Sequence, residues 1–213
     1  MKKLTIFVTV LAIFGLSACQ WGTKNSTDKP VDNNVPQEKP VVQNPAEMEN
    51  TIKNLSSDIL ALLKNKDFES LALKIHPTQG IRFSPYAYVS KDDLHFSADD
   101  FLQLIKEDKT RVWGSADGSG FPIDLNFTDY YKKYIWDLDF TRAPENSFDK
   151  RLGQGNSLDN ALEFYAGAHV MEYHFAGFEP QYEGMDWRSL RLVFAEENGQ
   201  WYLVGIIHDQ WTI

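Results

Sequence analysis

A single cysteine, Cys19, in a chain of 213 residues sets the first limit on what this protein can fold into. No intrachain disulfide is possible, so the fold must hold through its own core. The material for a core is present: aromatic residues make up 14% of the chain, with six tryptophans and fourteen phenylalanines. The charge is lopsided, 21 basic residues against 30 acidic, a formal −9. Such a surface lacks the cations that release counterions from phosphates, which excludes nucleic acid as a partner. It is also repelled by anionic lipid headgroups.

The residues before Cys19 are laid out as an export signal, 1–18. Lys2 and Lys3 supply a positive start, Leu4 to Leu16 an apolar run, and Ser17 and Ala18 the small residues before a cleavage point. The apolar run is too short to cross a bilayer, which takes roughly 20 residues. Leu16-Ser17-Ala18-Cys19 resembles a bacterial lipobox. The resemblance implies that the Cys19 thiolate takes a diacylglyceryl group, often with an N-acyl chain such as palmitate, and becomes the new N-terminus. More than one acyl chain is what stable anchoring requires. The expected location is the extracytoplasmic side of the cell membrane, with the lipid anchor as the only membrane contact. Loss of Lys2 and Lys3 with the signal moves the charge from −9 to −11.

Residues 19–47 carry the lipidated cysteine and then a polar, proline-punctuated stretch with Pro30, Pro36, Pro40 and Pro45. It has too little apolar surface to bury, and reads as a disordered spacer that spans about 30 Å as a coil. Residues 48–213 read as one domain of about 165 residues, enough for a single core.

Within it, Met48, Ile52, Leu55, Ile59, Leu62 and Leu63 recur at helical spacing. Asp67 can cap a second, short helix carrying Phe68 and Leu71, ended by His76-Pro77. A strand follows at Ile81-Arg82-Phe83, stopped by Pro85, and Ser97-Ala98-Asp99-Asp100 opens another helix as a weak capping box. Short strands are expected around Arg111–Trp113 and Ile123–Leu125, then a helix capped by Thr128 that contains Tyr131, Tyr134 and Ile135. Residues 141–160 are polar and read as a surface excursion. Ala168 to Phe178 alternates, with His169, Met171, Tyr173 and Phe175 on one side and Val170, Glu172 and His174 on the other.

The strongest local signal is Glu197-Asn198-Gly199-Gln200 between two apolar runs, a type I′ hairpin. Glu197 then faces Gln200, and strict alternation pairs Phe194 with Leu203, Leu192 with Gly205 and Leu190 with Ile207 on an inward face. The other face pairs Ala195 with Tyr202, Val193 with Val204 and Arg191 with Ile206. In that register Asp209 lies opposite Arg188 and continues an inward stripe to Trp211.

Helices first and long antiparallel strands last argue for the α+β class, with N-terminal helices packed on a curved antiparallel sheet. The element order and the closing pair, Leu190–Phe194 with Trp201–Ile207, resemble the nuclear-transport-factor-2-like superfamily. That resemblance implies a cone-shaped roll with a pocket at its open end. It does not settle function, because the superfamily holds enzymes and binding modules alike.

Nucleophile elbows, zinc-protease helices, P-loops and paired-cysteine sites are absent, so no metal or cofactor is expected. Asp137-Leu138-Asp139 would need further oxygen ligands to hold a cation. The loose constellation that remains is Asp209 with His169, Tyr173, Trp113 and Trp211 as a candidate pocket. Two functions fit. One is a tethered binding or accessory module for an envelope component or exported protein, with the outer sheet face around Val193, Val204 and Tyr202 open to a partner or to a second copy. The alternative is a small hydrolase, isomerase or dehydratase using Asp209 as general base, its pKa raised by an apolar pocket.

Overall fold

A computed structural model describes residues 44–212. Contacts divide the chain into Met1–Lys39 and Pro40–Ile213, and all described residues belong to the second unit. The signal peptide, the lipobox and all but the end of the spacer lie outside them. Among the described residues, no helix is long and apolar enough to cross a membrane.

Helix α1 spans Pro45–Asn65. Asn44 caps it by accepting from the Ala46 amide, Pro45 occupies its first turn, and Lys66 ends it in the left-handed region at φ 55°. Its buried stripe is Ile52, Ser56, Ile59, Leu60 and Leu63. Asp67 caps α2, Phe68–Ala72, through the Ser70 amide. Strands β1, Ile81–Ser84, and β2, His95–Phe96, lead to α3, Ala98–Glu107, which Ser97 caps by accepting from the Asp100 amide. Strands β3, Arg111–Ser115, and β4, Pro122–Leu125, form a separate two-stranded sheet.

Helix α4, Phe127–Tyr130, is capped by Asn126 rather than Thr128, and continues as a π-helical turn over Tyr131–Ile135. Asn126 wins because it precedes the first helical residue, where its side chain reaches the Asp129 amide, while Thr128 already lies inside the helix. The polar stretch 141–160 is more than an excursion. It contains strand β5, Glu145–Phe148, and a strap that runs across the sheet before α5, Ala161–Phe164. Strands β6, His169–Phe175, β7, Arg188–Glu197, and β8, Gln200–Gln210, follow.

The main sheet has the order β2-β1-β8-β7-β6-β5. Every neighbouring pair is antiparallel except β1 with β8, so the class is α+β with a mostly antiparallel sheet. One face meets α1 and the aromatic side chains of α3, β3 and α4. Leu190, Leu192, Phe194, Leu203 and Ile206 are buried there against Ile59, Leu63, Phe83, Phe101, Trp113 and Tyr130. Each such side chain contributes about 1.5–3 kcal/mol by leaving water. The other face holds a smaller cluster of Val170, Val193, Val204 and Ile207 under Ala161 and Ala168.

The hairpin turn carries positive φ at both Asn198 (55°) and Gly199 (80°), and Glu197 pairs with Gln200. Pairing runs as alternation predicts through Phe194 with Leu203. It then slips by one residue at a β-bulge, so Val193 pairs with Gly205, Leu192 with Ile206, Arg191 with Ile207 and Ser189 with Asp209. Val204 is the extra residue. Beyond it every β8 side chain lies on the face opposite to the one strict alternation assigns. Ile206 joins the main core in place of Ile207, and Asp209 lies opposite Ser189 instead of Arg188.

The outer face expected to be open is covered by the chain itself. Val193 is fully buried and Val204 nearly so, with Ala161, Phe164 and Tyr165 packed against them. The surface assigned to a homodimer around these residues is therefore inside the domain, with Tyr202 left half-buried at its margin.

Candidate functional site

After β1 the chain bends over Pro85–Tyr88. Ala87 is buried and Val89 joins the cluster on the sheet's second face, while Tyr88 is 55% exposed. This segment, the β3–β4 turn and the strap residues Ser157 and Leu158 enclose a cleft of ≈ 620 Å³. Its walls are Pro85, Tyr86, Tyr88 and Leu158, the last 76% exposed. Behind the cleft the Tyr130 ring stacks on Trp113 at 3.8 Å, and Tyr134 lies 5.1 Å beyond Tyr130. Tyr86 packs edge-on against Tyr134 at 5.9 Å, and burial, reinforced by the Tyr134 hydroxyl, pushes its phenol up to about 12, so it stays neutral.

Asp93 lines the same cleft and is only 8% exposed. Its Oδ2 accepts from the Ser84 hydroxyl and from the Ser90 amide at 2.9 Å. Its Oδ1 has no hydrogen-bond donor among the described residues. Arg82 fixes the loop that carries it: Nη1 donates to the carbonyls of Asp93 (2.6 Å), Lys91 (3.1 Å) and Ser90 (3.4 Å). Desolvation raises the Asp93 carboxyl above its ordinary range, against the pull of the two serine bonds and of Arg82. The arrangement presents one free carboxylate oxygen at the base of an aromatic and apolar cleft.

A second polar assembly lies under the strap. Arg151 forms a fork on Asp209, Nε to Oδ2 at 2.9 Å and Nη2 to Oδ1 at 3.1 Å, and donates to the Ser157 carbonyl. Arg191 forms a second fork on Asp159 at 2.9 and 2.8 Å. Glu172, 1% exposed, accepts from the Leu152 and Gly153 amides and from the Ser189 hydroxyl. The one Ser189 proton is thus used, so Nδ1 of His174 donates to Ser189 Oγ at 2.8 Å. These bonds fasten the strap to β6, β7 and β8. Burial pushes Asp209 up to about 6, although Arg151 pulls it down.

The five residues expected to share a pocket are dispersed. Asp209 is buried beneath the strap, with both oxygens engaged by Arg151, which leaves it no lone carboxylate face to act as a base. Trp211, two residues on, lies against Gly155. Tyr173 is on the opposite face of the sheet, bonded to Ser56 of α1 at 2.7 Å. His169 pairs with Asp149 at 2.6 Å and packs between Phe148 and Trp201. Trp113 is fully buried in the main core and donates to the Leu125 carbonyl. The bulge is the cause for Asp209, since it carries that side chain away from the face of Tyr173. Asp137 and Asp139 also diverge, Asp137 to Arg188 and His208, Asp139 to Lys64 and Thr141. Among the described residues no three or more histidine, aspartate or glutamate side chains converge as a metal site would require.

Asp93, Tyr86 and Tyr88 are not singled out by the sequence. The available signal was the pair of tyrosines past Pro85, together with Ser90 three residues before an aspartate.

No family model matches the chain, and no curated protein does. A solved structure named Rd1NTF2_05, carrying five substitutions, aligns over 76% of this chain and 98% of its own, at 16% identity and a TM-score of 0.30. At that score the likeness carries no argument about this chain.

Proposed function

We propose that this protein is a lipid-anchored extracytoplasmic binding module, acylated at Cys19, whose folded domain presents the cleft behind Tyr88 and Leu158 to an envelope component or exported protein. The single observation that carries the binding role is that cleft: two large apolar side chains left exposed at the mouth of a cavity whose base is a buried carboxylate. Ligand sites combine a mostly apolar lining with a few fixed polar groups in just this way. The anchor rests on the lipobox resemblance of Leu16-Ser17-Ala18-Cys19 and on the polar spacer that follows it. The nuclear-transport-factor-2-like roll is part of the same reading, supported by a mostly antiparallel sheet that packs one face on the long N-terminal helix.

A photo-crosslinking residue at position 158 tests the role in intact cells. Adducts to a discrete envelope component that disappear with Tyr88→Ala support it. An adduct pattern indistinguishable from that of a crosslinker at Lys109, an exposed position outside the cleft, refutes it.

A further inference from the structure

We propose that the cleft takes a cationic group, a protonated amine or quaternary ammonium carried on a small apolar body, with Asp93 Oδ1 as its counter-ion and the rings of Tyr86 and Tyr88 as its walls. The inference rests on the cleft being the ligand site, and names the chemistry it selects.

The buried carboxylate is the starting point. A carboxylate taken out of water needs a positive partner or a full set of donors. Asp93 is more than nine-tenths buried, its Oδ2 is satisfied within the domain, and its Oδ1, which no donor among the described residues reaches, keeps contact with solvent. Arg82, the guanidinium that acts on Asp93, directs its Nη1 to three backbone carbonyls and places its Cζ over the Phe164 ring at 5.3 Å. Oδ1 is therefore available to an incoming donor.

The charged side chains that line the cleft have one sign, with Arg82 behind the Asp93 loop as the nearby positive charge. Asp92 and Asp117 join Asp93 in the lining, and no lysine, arginine or histidine does. An anion entering the cleft meets three carboxylates, in a chain whose formal charge is already −9. A cation meets those carboxylates and two tyrosine side chains, aromatic groups of the kind that hold ammonium ions. Pro85 and Leu158 supply apolar contact for the remainder of the ligand. The ≈ 620 Å³ of the cleft suits a small molecule.

The test is a titration of the full-length chain with three probes of one ring size, benzylamine, benzyl alcohol and benzoate, followed by amide chemical shifts. Benzylamine is expected to bind about tenfold tighter than benzyl alcohol, about 1.4 kcal/mol, and benzoate not to bind. Shifts should centre on Tyr86–Asp93 and Ser115–Gly118. Asp93→Asn should reduce benzylamine to the level of the alcohol. Asp93 also holds its own loop, so Tyr88→Ala, at an exposed position, serves as the second variant and should weaken benzylamine several-fold with the rest of the spectrum unchanged. Equal binding of amine and alcohol in the cleft overturns the cationic assignment and leaves the cleft as a binding site. Shifts that lie elsewhere, or that Tyr88→Ala does not alter, overturn both the assignment and the reading it rests on.

Discussion

Asp209→Asn should remove a pH dependence of stability whose sign tells burial apart from ion pairing. In the folded protein the Asp209 carboxyl is pushed up to about 6 from an ordinary 3.8, because desolvation outweighs the Arg151 fork. A carboxyl that holds its proton more tightly when folded adds stability below its unfolded pKa and loses it as pH rises through the folded value. The window is therefore pH 4 to 6, and stability falls across it. The gap between about 6 and 3.8 corresponds to about 3 kcal/mol. Asp209 is 1% exposed, so solvent screening does not reduce that figure much. Urea unfolding followed by tryptophan fluorescence, at several pH values on both proteins, measures it. The native chain should lose about 2 kcal/mol relative to Asp209→Asn between pH 4 and 7, the remainder of the total being lost below pH 4 and above pH 7. A flat difference would refute the reasoning, and a native chain that gains stability with rising pH would show that Arg151 controls the carboxylate instead. Arg151→Met should steepen the loss, since breaking one half of a buried pair costs about 3–5 kcal/mol when the other half stays charged.

Gly153→Ala should destabilise the domain by about 1–3 kcal/mol in thermal melts, because a Cβ there would lie 2.3 Å from Cζ3 of Trp187; an unchanged melting temperature would mean that the strap yields freely. Leu192→Ala empties a fully buried site between β6 and β8 and should cost about 2–5 kcal/mol by urea titration. Cys19→Ala should move the protein from the membrane fraction to a soluble or precursor pool, and mass spectrometry of the native N-terminal peptide should show the acyl groups; an unacylated Cys19 in the native protein removes the anchor from the proposal.

Local chemistry was legible in the sequence where the deciding contact lies within a few residues. Asp67 and Ser97 cap their helices from the adjoining turn, and Asn198-Gly199 sets its own backbone geometry. The bulge was not legible, because it depends on distant packing. Gly205 sits under Tyr165, the residue that ends α5, where a Cβ would meet the phenol oxygen at 2.8 Å, and nothing near Val204 announces an extra residue. One unread residue was enough to assign Asp209 to the wrong face and to build the wrong pocket around it. Strand β5 was missed for a different reason. Glu145 and Asn146 are exposed at the sheet's edge, so the strand carries no apolar alternation. Asp93 acquires its burial from Ser84, Ser90 and the Arg82-pinned loop, partners that do not distinguish it in sequence from the exposed Asp92 beside it.

The ordering of the sheet bears on how such a domain keeps its neighbours at a distance. The two longest strands, β7 and β8, lie at the centre, and the rims are β2, two residues long, and β5, four. Free strand rims are where chains add to one another and begin to aggregate, and brevity is one of the ways proteins blunt them. Copies crowded together in one plane would meet through rims too short to template a continuous ladder. Helix α5 and the residues that follow it, Tyr165 and Ala168, meanwhile close over the apolar cluster on the sheet's second face. The domain can stand at high local density and still offer a visitor its loops rather than its backbone.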